Sequence, residues 1–392
     1  MGDSCMTSKT LKPSYESFDE MPLPPDLLKG IYSYGFDQPS EIQKKGIAAI
    51  LTKRDCVIQS QSGTGKTATF CIGFLSNIDI ASKTSQCLVV SPTRELADQT
   101  LEVFKQLGHY MQGFRVHLSR GGTSPHDDIK GLRQQPHIIV ATPGRFIDMC
   151  HKRVFNSTTI VHMCLDEADE LLTLGFQEQI HEIMGYLNKI VQVCLVSATM
   201  PVGAHEIAKV FMNDPIKLLI NDDELTLEGI SQYFVNVGEY RHKFDTLMDI
   251  YQRVNISQAI IYCNKRRDAE CLAERLQRER FTVACFHGEM SNGIRSKIIN
   301  QFRAGVVRVL VTTDLLARGI DVQQVSLVLN YDLSKDVETY IHRIGRSGRF
   351  GRKGVAINLA TSREVSILQD IEQFYETRIH ELPENIEDVF SS

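Results

Sequence analysis

Residues 60–67 read Ser-Gln-Ser-Gly-Thr-Gly-Lys-Thr, residue types suited to gripping a polyphosphate. Gly63 and Gly65 let successive backbone N–H groups curl around phosphate oxygens, and the apolar segment ATFCIGFL that follows can offer a helix N-terminus and its dipole. Lys66 can reach the β- and γ-phosphates, and the Thr67 hydroxyl can bind Mg²⁺. The loop departs from the G-x-x-x-x-G-K-[ST] pattern at its first position, where Ser60 replaces glycine. Further along, VHMCLDEADELL places Asp166 and Glu167 at the end of an apolar run. Asp166 there can hold Mg²⁺ through water while Glu167 takes a proton from an attacking water, a pair fitted to nucleoside triphosphate hydrolysis. The competing explanation is a helix N-terminus enriched in acids; the pairing with Lys66 and Thr67 favours the chemical one. His162, in the same run, has no ligand partner near it in sequence and reads as structural.

Such groups must be held by a scaffold, and short apolar runs supply one. They fall at 55–60, 87–92, 137–143, 161–167 and 193–199, then at 259–264, 282–288, 307–314, 326–332 and 355–360, separated by helix-length segments. Runs rich in Val, Ile and Leu that end in polar residues suit parallel strands buried on both faces, so the pattern predicts α/β architecture twice over. Ligands in such sheets sit beyond the carboxyl ends of the strands, where Ser60–Thr67, Ser91–Glu95, Thr142–Arg145, Asp166–Asp169, Ser197–Thr199 and Thr312–Asp314 fall. Between the two sets, NDDELTLEG (221–229) carries four acids and no base, which predicts a linker. The expected division is an N-terminal extension (1–34), a first domain (35–220), that linker and a second domain (230–392). In 363–380, Ile367, Leu368, Ile371, Phe374 and Tyr375 form a helical stripe expected to pack inward.

Composition narrows the class. A chain of 392 residues, 42% hydrophobic and 23% charged, has no apolar run near the ~20 residues of a membrane span and starts with a polar segment, pointing to cytosol or nucleus. Its ten cysteines include no C-x-x-C pair and several lie inside apolar runs, so they are expected to be buried reduced thiols. The net charge of −5 provides no global attraction for a polyanion; any such site must be built locally.

Taken together, SGTGKT, PTRELA (92–97), TPGR (142–145), DEAD (166–169), SAT (197–199), ARGID (317–321) and HRIGRSGR (342–349) resemble the DEAD-box RNA helicases, over roughly residues 18–380. The resemblance implies two tandem RecA-like domains, each a mainly parallel sheet flanked by helices, joined by a flexible linker. It implies ATP with Mg²⁺ as the cofactor pair. The family's loop is A-x-x-G-x-G-K-T, so the missing glycine is ordinary and only Ser60 for Ala departs; Ser60, Gln61, Ser62, Gly63, Thr64, Gly65, Lys66 and Thr67 would hold the phosphates. GFDQPSEIQ (35–43) resembles the family's Q motif. The Gln43 amide suits the N6–H₂ and N7 edge of adenine, and Phe36 can stack on the ring, with Phe18 packing nearby. Guanine would leave buried groups unpaired at about 1–3 kcal/mol each.

By the same resemblance Arg346 and Arg349 are arginine fingers that complete the site from the second domain, His342 couples that contact, and Gly319 and Asp321 lie near the ribose. Arg352 and Lys353, in the same basic run, can equally be a solvated face. RNA would contact Thr93, Arg94, Gly121, Gly122, Thr142 and Arg145 in the first domain, and Thr312, Thr313 and the QFR segment (301–303) in the second. Hydroxyls, amides and arginines read phosphate and 2′-OH, so binding should be independent of sequence. Ser197 and Thr199 would link the ATP and RNA sides, with Asp169 as partner.

The flanks TTDLLARGIDVQQVSLVLNYDL (312–333) and GRFGRKGVAIN (348–358) resemble the initiation-factor branch, the minimal helicases of cap-dependent translation. That implies unwinding of mRNA 5′ leaders in the cytoplasm by a protein monomeric when free, with a scaffold protein and accessory factors of the cap-binding complex docking on the core. Two residues depart: Lys265, where the family commonly has Thr, and Ser347, which replaces a Gly and matches exon-junction relatives. The alternative is therefore an ATP-dependent RNA clamp of a splicing-linked, nuclear complex. A DNA-translocating ATPase and a P-loop switch are the remaining classes; Gln43 with the DEAD sequence stands against the first, the second-domain arginines against the second.

Overall fold

The computed structural model describes residues 14–60, 63–172, 175–199, 209–219, 230–254, 256–314, 325–334, 336–347, 354–375 and 377–391. Two compact units divide the chain, Met1–Leu219 and Ile220–Ser392. The acidic segment 221–229 lies outside the described residues.

Short runs with no polar face need both faces covered, and the first sheet is built that way. Strands β1 (Cys56–Gln59), β2 (Cys87–Val90), β3 (Val116–Ser119), β4 (Ile138–Ala141), β5 (His162–Asp166), β6 (Gln192–Ser197) and β7 (Ile216–Leu219) are parallel, in the order β3-β4-β2-β5-β6-β1-β7. Successive side chains point to opposite faces. Cys56, Ile58, Cys87, Val89, Ile138 and Cys164 therefore enter one core, with Phe70, Phe74 and Phe104 from the helices Lys66–Asn77 and Arg94–Leu107. Val57, Leu88, Ile139, Met163 and Val193 enter the other, with Phe146 and Ile180 from the helices Pro143–His151 and Gln177–Tyr186. Each fully buried Phe contributes on the order of 1.5–3 kcal/mol relative to exposure. Tyr15, Phe18 and Met21 join the first core, so residues the sequence sets apart as an extension are packed into this unit.

The second unit repeats the plan. Its strands are β8 (Ile230–Gly238), β9 (Ala259–Tyr262), β10 (Val283–Phe286), β11 (Val309–Thr312), β12 (Leu327–Asn330), β13 (Gly354–Thr361) and β14 (His380–Glu381), parallel in the order β10-β11-β9-β12-β13-β8-β14. Because every strand in a sheet runs the same way, all carboxyl ends emerge at one edge, and each unit gathers its polar strand-end residues there.

Four strands escape the apolar-run criterion: β3, β7, β8 and β14. β3 reads VHLS and is only partly buried, β8 interleaves polar residues over nine positions, and β14 has two residues. Across the helix Val365–Phe374 and the residue after it the expected inward stripe holds for Leu368, Ile371 and Tyr375, with Ile367 partly buried against the same core, but Phe374 is 58% exposed. Seven described cysteines are buried as expected, whereas Cys271, on the helix Arg266–Arg278 but not among its buried residues, is exposed, and Cys285, on the edge strand β10, is only partly covered. His162 is structural: Nδ1 lies 2.8 Å from Gln192 Oε1, the ring packs on Phe74, and burial lowers its pKa.

Glycines set how closely the helix Glu41–Leu51 lies on the Lys66–Asn77 helix that follows the phosphate loop. A Cβ on Gly73 would stand 2.7 Å from Ile50 Cγ2, and one on Gly46 2.5 Å from Thr69 Cγ2. Gly185, also helical, has nothing within 4 Å of its Cβ position. Gly73→Val should therefore destabilise the protein by about 1–3 kcal/mol, lowering the thermal midpoint by several degrees, while Gly185→Ala should leave it level or raised by up to about 1 kcal/mol. Thermal melts of the two variants check this; equal shifts would contradict the close-packing account.

Candidate nucleotide and nucleic-acid sites

The phosphate loop leaves β1 at Ser60, which is fully buried. Its N–H donates to Ser197 O (3.1 Å), its hydroxyl lies 2.6 Å from Thr64 Oγ1, and its carbonyl accepts Lys66 Nζ at 2.6 Å. The serine that stands for the family's alanine thus adds a hydroxyl contact inside the loop. Gly63 and Gly65 have φ of 87° and 99°, conformations that side chains resist, and a Cβ on Gly65 would lie 2.7 Å from Gln43 Nε2. Gly65 is also the N-cap of the helix Lys66–Asn77. Gln61 and Ser62 lie outside the described residues.

Gln43 therefore rests directly on the loop. Its Oε1 accepts Ser40 N at 2.9 Å, one half of a capping box that starts the helix Glu41–Leu51, while Ser40 Oγ donates to Thr64 O at 2.9 Å. An amide oxygen has two lone pairs, so the cap leaves one for a base donor. Phe36 is stacked on Tyr34 (centroids 4.8 Å, 25° between planes) and tilted against Phe18 at 6.5 Å.

At the end of β5, Asp166 and Glu167 are both buried, and Asp166 Oδ2 and Glu167 Oε2 have no hydrogen-bond partner among the described residues. Glu167 takes up the left-handed conformation (φ 50°, ψ 57°), a strain of about 1–3 kcal/mol that aims its carboxylate beside Asp166. Burial first, then the Glu167 charge, push the Asp166 carboxyl well above the usual range, against the opposing pull of Lys66 and the Glu167 N–H. Asp169 Oδ2 accepts Thr199 Oγ1 at 2.5 Å, and Ser197 Oγ faces both Asp169 N (3.4 Å) and Thr199 N (3.3 Å). The ends of β5 and β6 are thus tied together by side chains. Among the described residues no three of His, Cys, Asp and Glu gather into a metal cage. The residues fit a cation that arrives with phosphates and takes one carboxylate from the protein.

Four of the residues assigned to RNA line one cleft of about 380 Å³: Arg94, Gly121, Thr142 and Arg145, together with Pro92, Pro143, Gly144 and Phe176. Thr142 Oγ1 accepts the Gly121 N–H at 3.2 Å, and a Cβ on Gly121 would sit 3.1 Å from Arg94 Nη2, so a side chain there would press on that guanidinium. Gly122 follows at φ 85°. Arg145 is braced by the buried Asp128, by Thr123 Oγ1 (3.2 Å) and by Thr123 O (2.9 Å). Thr93 caps the helix Arg94–Leu107, accepting Leu96 N at 3.3 Å. Phe176 and Asp128 carry no motif and were not anticipated; Phe176 offers an aromatic face at the cleft, a feature that its place shortly after the DEAD acids could have suggested.

In the second unit the expected residues are less open. Thr312 is fully buried, its hydroxyl donating to Phe286 O at 2.9 Å, whereas Thr313 is partly exposed. Of the QFR segment, Phe302 is buried and Arg303 exposed. His342 is buried, and Arg346 is only 4% exposed with Nε donating to His342 O at 3.3 Å. Ser347 is buried and donates to Ile344 O at 3.0 Å, closing the end of the helix Val337–Ile344. Gly319, Asp321, Arg349, Arg352 and Lys353 lie outside the described residues.

Known proteins match this arrangement along nearly its whole length. Residues 40–207 match the family model described as DEAD/DEAH box helicase, and 242–351 the one described as helicase conserved C-terminal domain. The chain is 52% identical over 375 residues to the ATP-dependent RNA helicase FAL1 of Scheffersomyces stipitis, covering 96% of this chain and 94% of the relative. It is 50% identical over 374 residues to the ATP-dependent RNA helicase eIF4A of Neurospora crassa, covering 95% and 94%. Among solved structures, S. cerevisiae Dbp5 bound to RNA and ADP BeF3 is similar with a TM-score of 0.89 at 34% identity, covering 96% of this chain and 98% of that one.

The raised Asp166 carboxyl has a signed consequence for the ligand-free protein. Below the unfolded-state value of ~3.9 the group is protonated in both states and costs nothing. As pH rises, the unfolded chain releases the proton while the folded chain keeps it, so stability falls until the raised folded value is passed. Asp166→Asn should therefore raise the thermal midpoint of the nucleotide-free, chelator-treated protein, and by more at pH 8 than at pH 5. Equal gains at both pH values would overturn the burial argument.

Proposed function

The chain belongs to the DEAD/DEAH box helicases, and on that premise we propose that it is an ATP-dependent RNA helicase, an RNA-stimulated ATPase that separates short duplexes without reading their sequence. One observation carries the reading: buried, unsatisfied carboxylate oxygens on Asp166 and Glu167 lie at the same sheet edge as a glycine loop ending in Lys66 and Thr67. ATP is held by that loop, with Gln43 and Phe36 at the adenine. Mg²⁺ would be held by the Thr67 hydroxyl and, through water, by Asp166, and would neutralise phosphate charge. Glu167 accepts the proton of the attacking water. Its carboxylate is fixed by backbone strain and shielded from solvent, so the proton has a defined destination.

Arg346, with Arg349, supplies charge to the γ-phosphoryl group from the second unit, which requires its guanidinium to leave the His342 carbonyl. Such fingers are worth on the order of 10³–10⁵ in rate. Backbone amides at Gly121 and Gly122, with Arg94, Arg145, Thr93, Thr142, Thr312 and Thr313, bind the ribose-phosphate chain, and the Ser197–Thr199–Asp169 contacts couple the two ligands. Relatives named eIF4A, at 50% identity over 95% of the chain, support a cytoplasmic role in cap-dependent translation initiation, with a scaffold protein and accessory factors docking on the core. Ser347, the residue on which the exon-junction alternative rested, donates to Ile344 O at the end of its helix, and the relatives named eIF4A favour the translation reading over that alternative.

ATP turnover measured without nucleic acid, with single-stranded RNA and with single-stranded DNA tests the reading. Turnover should rise with RNA alone, and Glu167→Gln should lower kcat about 10²–10⁴-fold at nearly unchanged ATP affinity. Equal stimulation by DNA, or none by RNA, overturns it. Addition to a depleted translation extract should favour capped messages with structured 5′ leaders; a long-lived ATP-locked RNA complex without turnover would support the clamp instead.

A further inference from the structure

Arg343 is fully buried, and four groups accept from it. Nε donates to Asp314 Oδ1 at 2.6 Å, Nη1 to Asp332 O at 2.6 Å and Asn330 Oδ1 at 3.2 Å, and Nη2 to Asn264 Oδ1 at 2.8 Å; the guanidinium also lies over Tyr262, 5.2 Å from the ring centroid. One side chain thus ties the residues just past β9, β11 and β12 to the helix Val337–Ile344.

The acceptors are not equivalent. Asn264, Asn330 and the Asp332 carbonyl are neutral dipoles, and the Asp332 carboxylate is engaged with Asn264 N (3.0 Å) and Lys243 Nζ (3.6 Å). The negative charge facing Arg343 is that of Asp314, whose side chain is 48% exposed and whose neighbour is Thr313. A buried cation therefore leans on a half-exposed carboxylate in the loop assigned to RNA.

We propose that Asp314 and Arg343 are a positioning pair that transmits RNA occupancy at the Thr313 loop to the helix end that carries Arg346, within the second unit. The inference rests on the helicase reading. A phosphate at Thr313 brings negative charge beside the half-exposed Asp314 and repels it, weakening its hold on Arg343. The guanidinium is enclosed on all sides, so it cannot readjust alone; the change is taken up by the helix on which it sits. Three residues on, Arg346 is bonded to His342 of that same helix and moves with it.

Steady-state ATPase of the full-length chain against single-stranded RNA tests this, with thermal melts and RNA anisotropy in the presence of a non-hydrolysable ATP analogue as controls. Asp314→Asn should reduce RNA-stimulated kcat about tenfold, while RNA-free turnover and RNA affinity stay within about twofold of wild type; its thermal midpoint should fall, and the assays are run well below it so that the variant is folded. Asp314→Glu should recover much of the stimulation. Arg343→Lys, which keeps the charge but loses the fork, should lose it as Asp314→Asn does. Wild-type stimulation in Asp314→Asn, or equal losses with and without RNA, would overturn the proposal. Absence of RNA stimulation in the wild type itself would overturn the helicase reading, and this inference with it.

Discussion

The constraint on which the first unit depends is the burial of two carboxylates whose outer oxygens have nothing to accept. Each such group costs about 1–3 kcal/mol, more when ionised, and the left-handed Glu167 adds strain of similar size. A loop could not hold that arrangement against relaxation. The end of β5 can, because its neighbours β2 and β6 fix it in register on both sides and apolar cores cover both faces. The destabilisation is local and the scaffold that opposes it is distributed. In return, a cation and phosphate entering this edge meet charge that water does not screen.

Many residues expected to touch a ligand are occupied in holding backbone. Thr142 fixes Gly121, Thr93 caps a helix, Ser60 braces Thr64, Ser197 and Thr199 tie β6 to the DEAD turn. This changes the physical reading of a hydroxyl-rich motif. The hydroxyls hold the backbone around glycine amides and arginines, and a donor fixed in this way would lose little entropy on binding. Ser60 fits the same rule: where the family has a methyl group, this chain has a contact that is internal to the loop.

Strands that are continuous apolar runs were legible, because burial on both faces leaves a mark in sequence. β3, β7 and β8 were not, since half-burial and interleaved polar residues remove it. The candidate nucleotide edge could be marked out for a related reason: Lys66, Asp166 and Gln43 sit in contiguous motifs attached to strand or helix ends. Asp128 braces Arg145 from a separate helix and carries no local signature, and Phe176 reaches the cleft with only its place after the DEAD acids to mark it. The basic run 340–354 shows the limit most clearly. Its spacing treats Arg343 and Arg346 alike, yet what separates them is which strand ends lie within reach, and that is a property of the tertiary fold.

The two units handle buried charge in opposite ways. In the first, Asp166 and Glu167 are left short of partners among the described residues; in the second, two buried cations, Lys243 and Arg343, are well supplied. Lys243, fully buried, donates to Tyr331 O at 2.7 Å, lies 3.3 Å from Glu364 and 3.6 Å from Asp332, and faces the Tyr240 ring at 5.0 Å. Arg343 has a matching set of acceptors. Buried ion pairs of this kind add little net stability over an apolar core, but removing one partner is costly, about 3–5 kcal/mol. They fix geometry more than they add stability. A carboxylate lacking partners creates demand for a ligand, whereas a saturated guanidinium makes several strand ends behave as one body. The first unit thus concentrates underpartnered acids at its strand ends, while the second ties its strand ends to one another through a buried guanidinium.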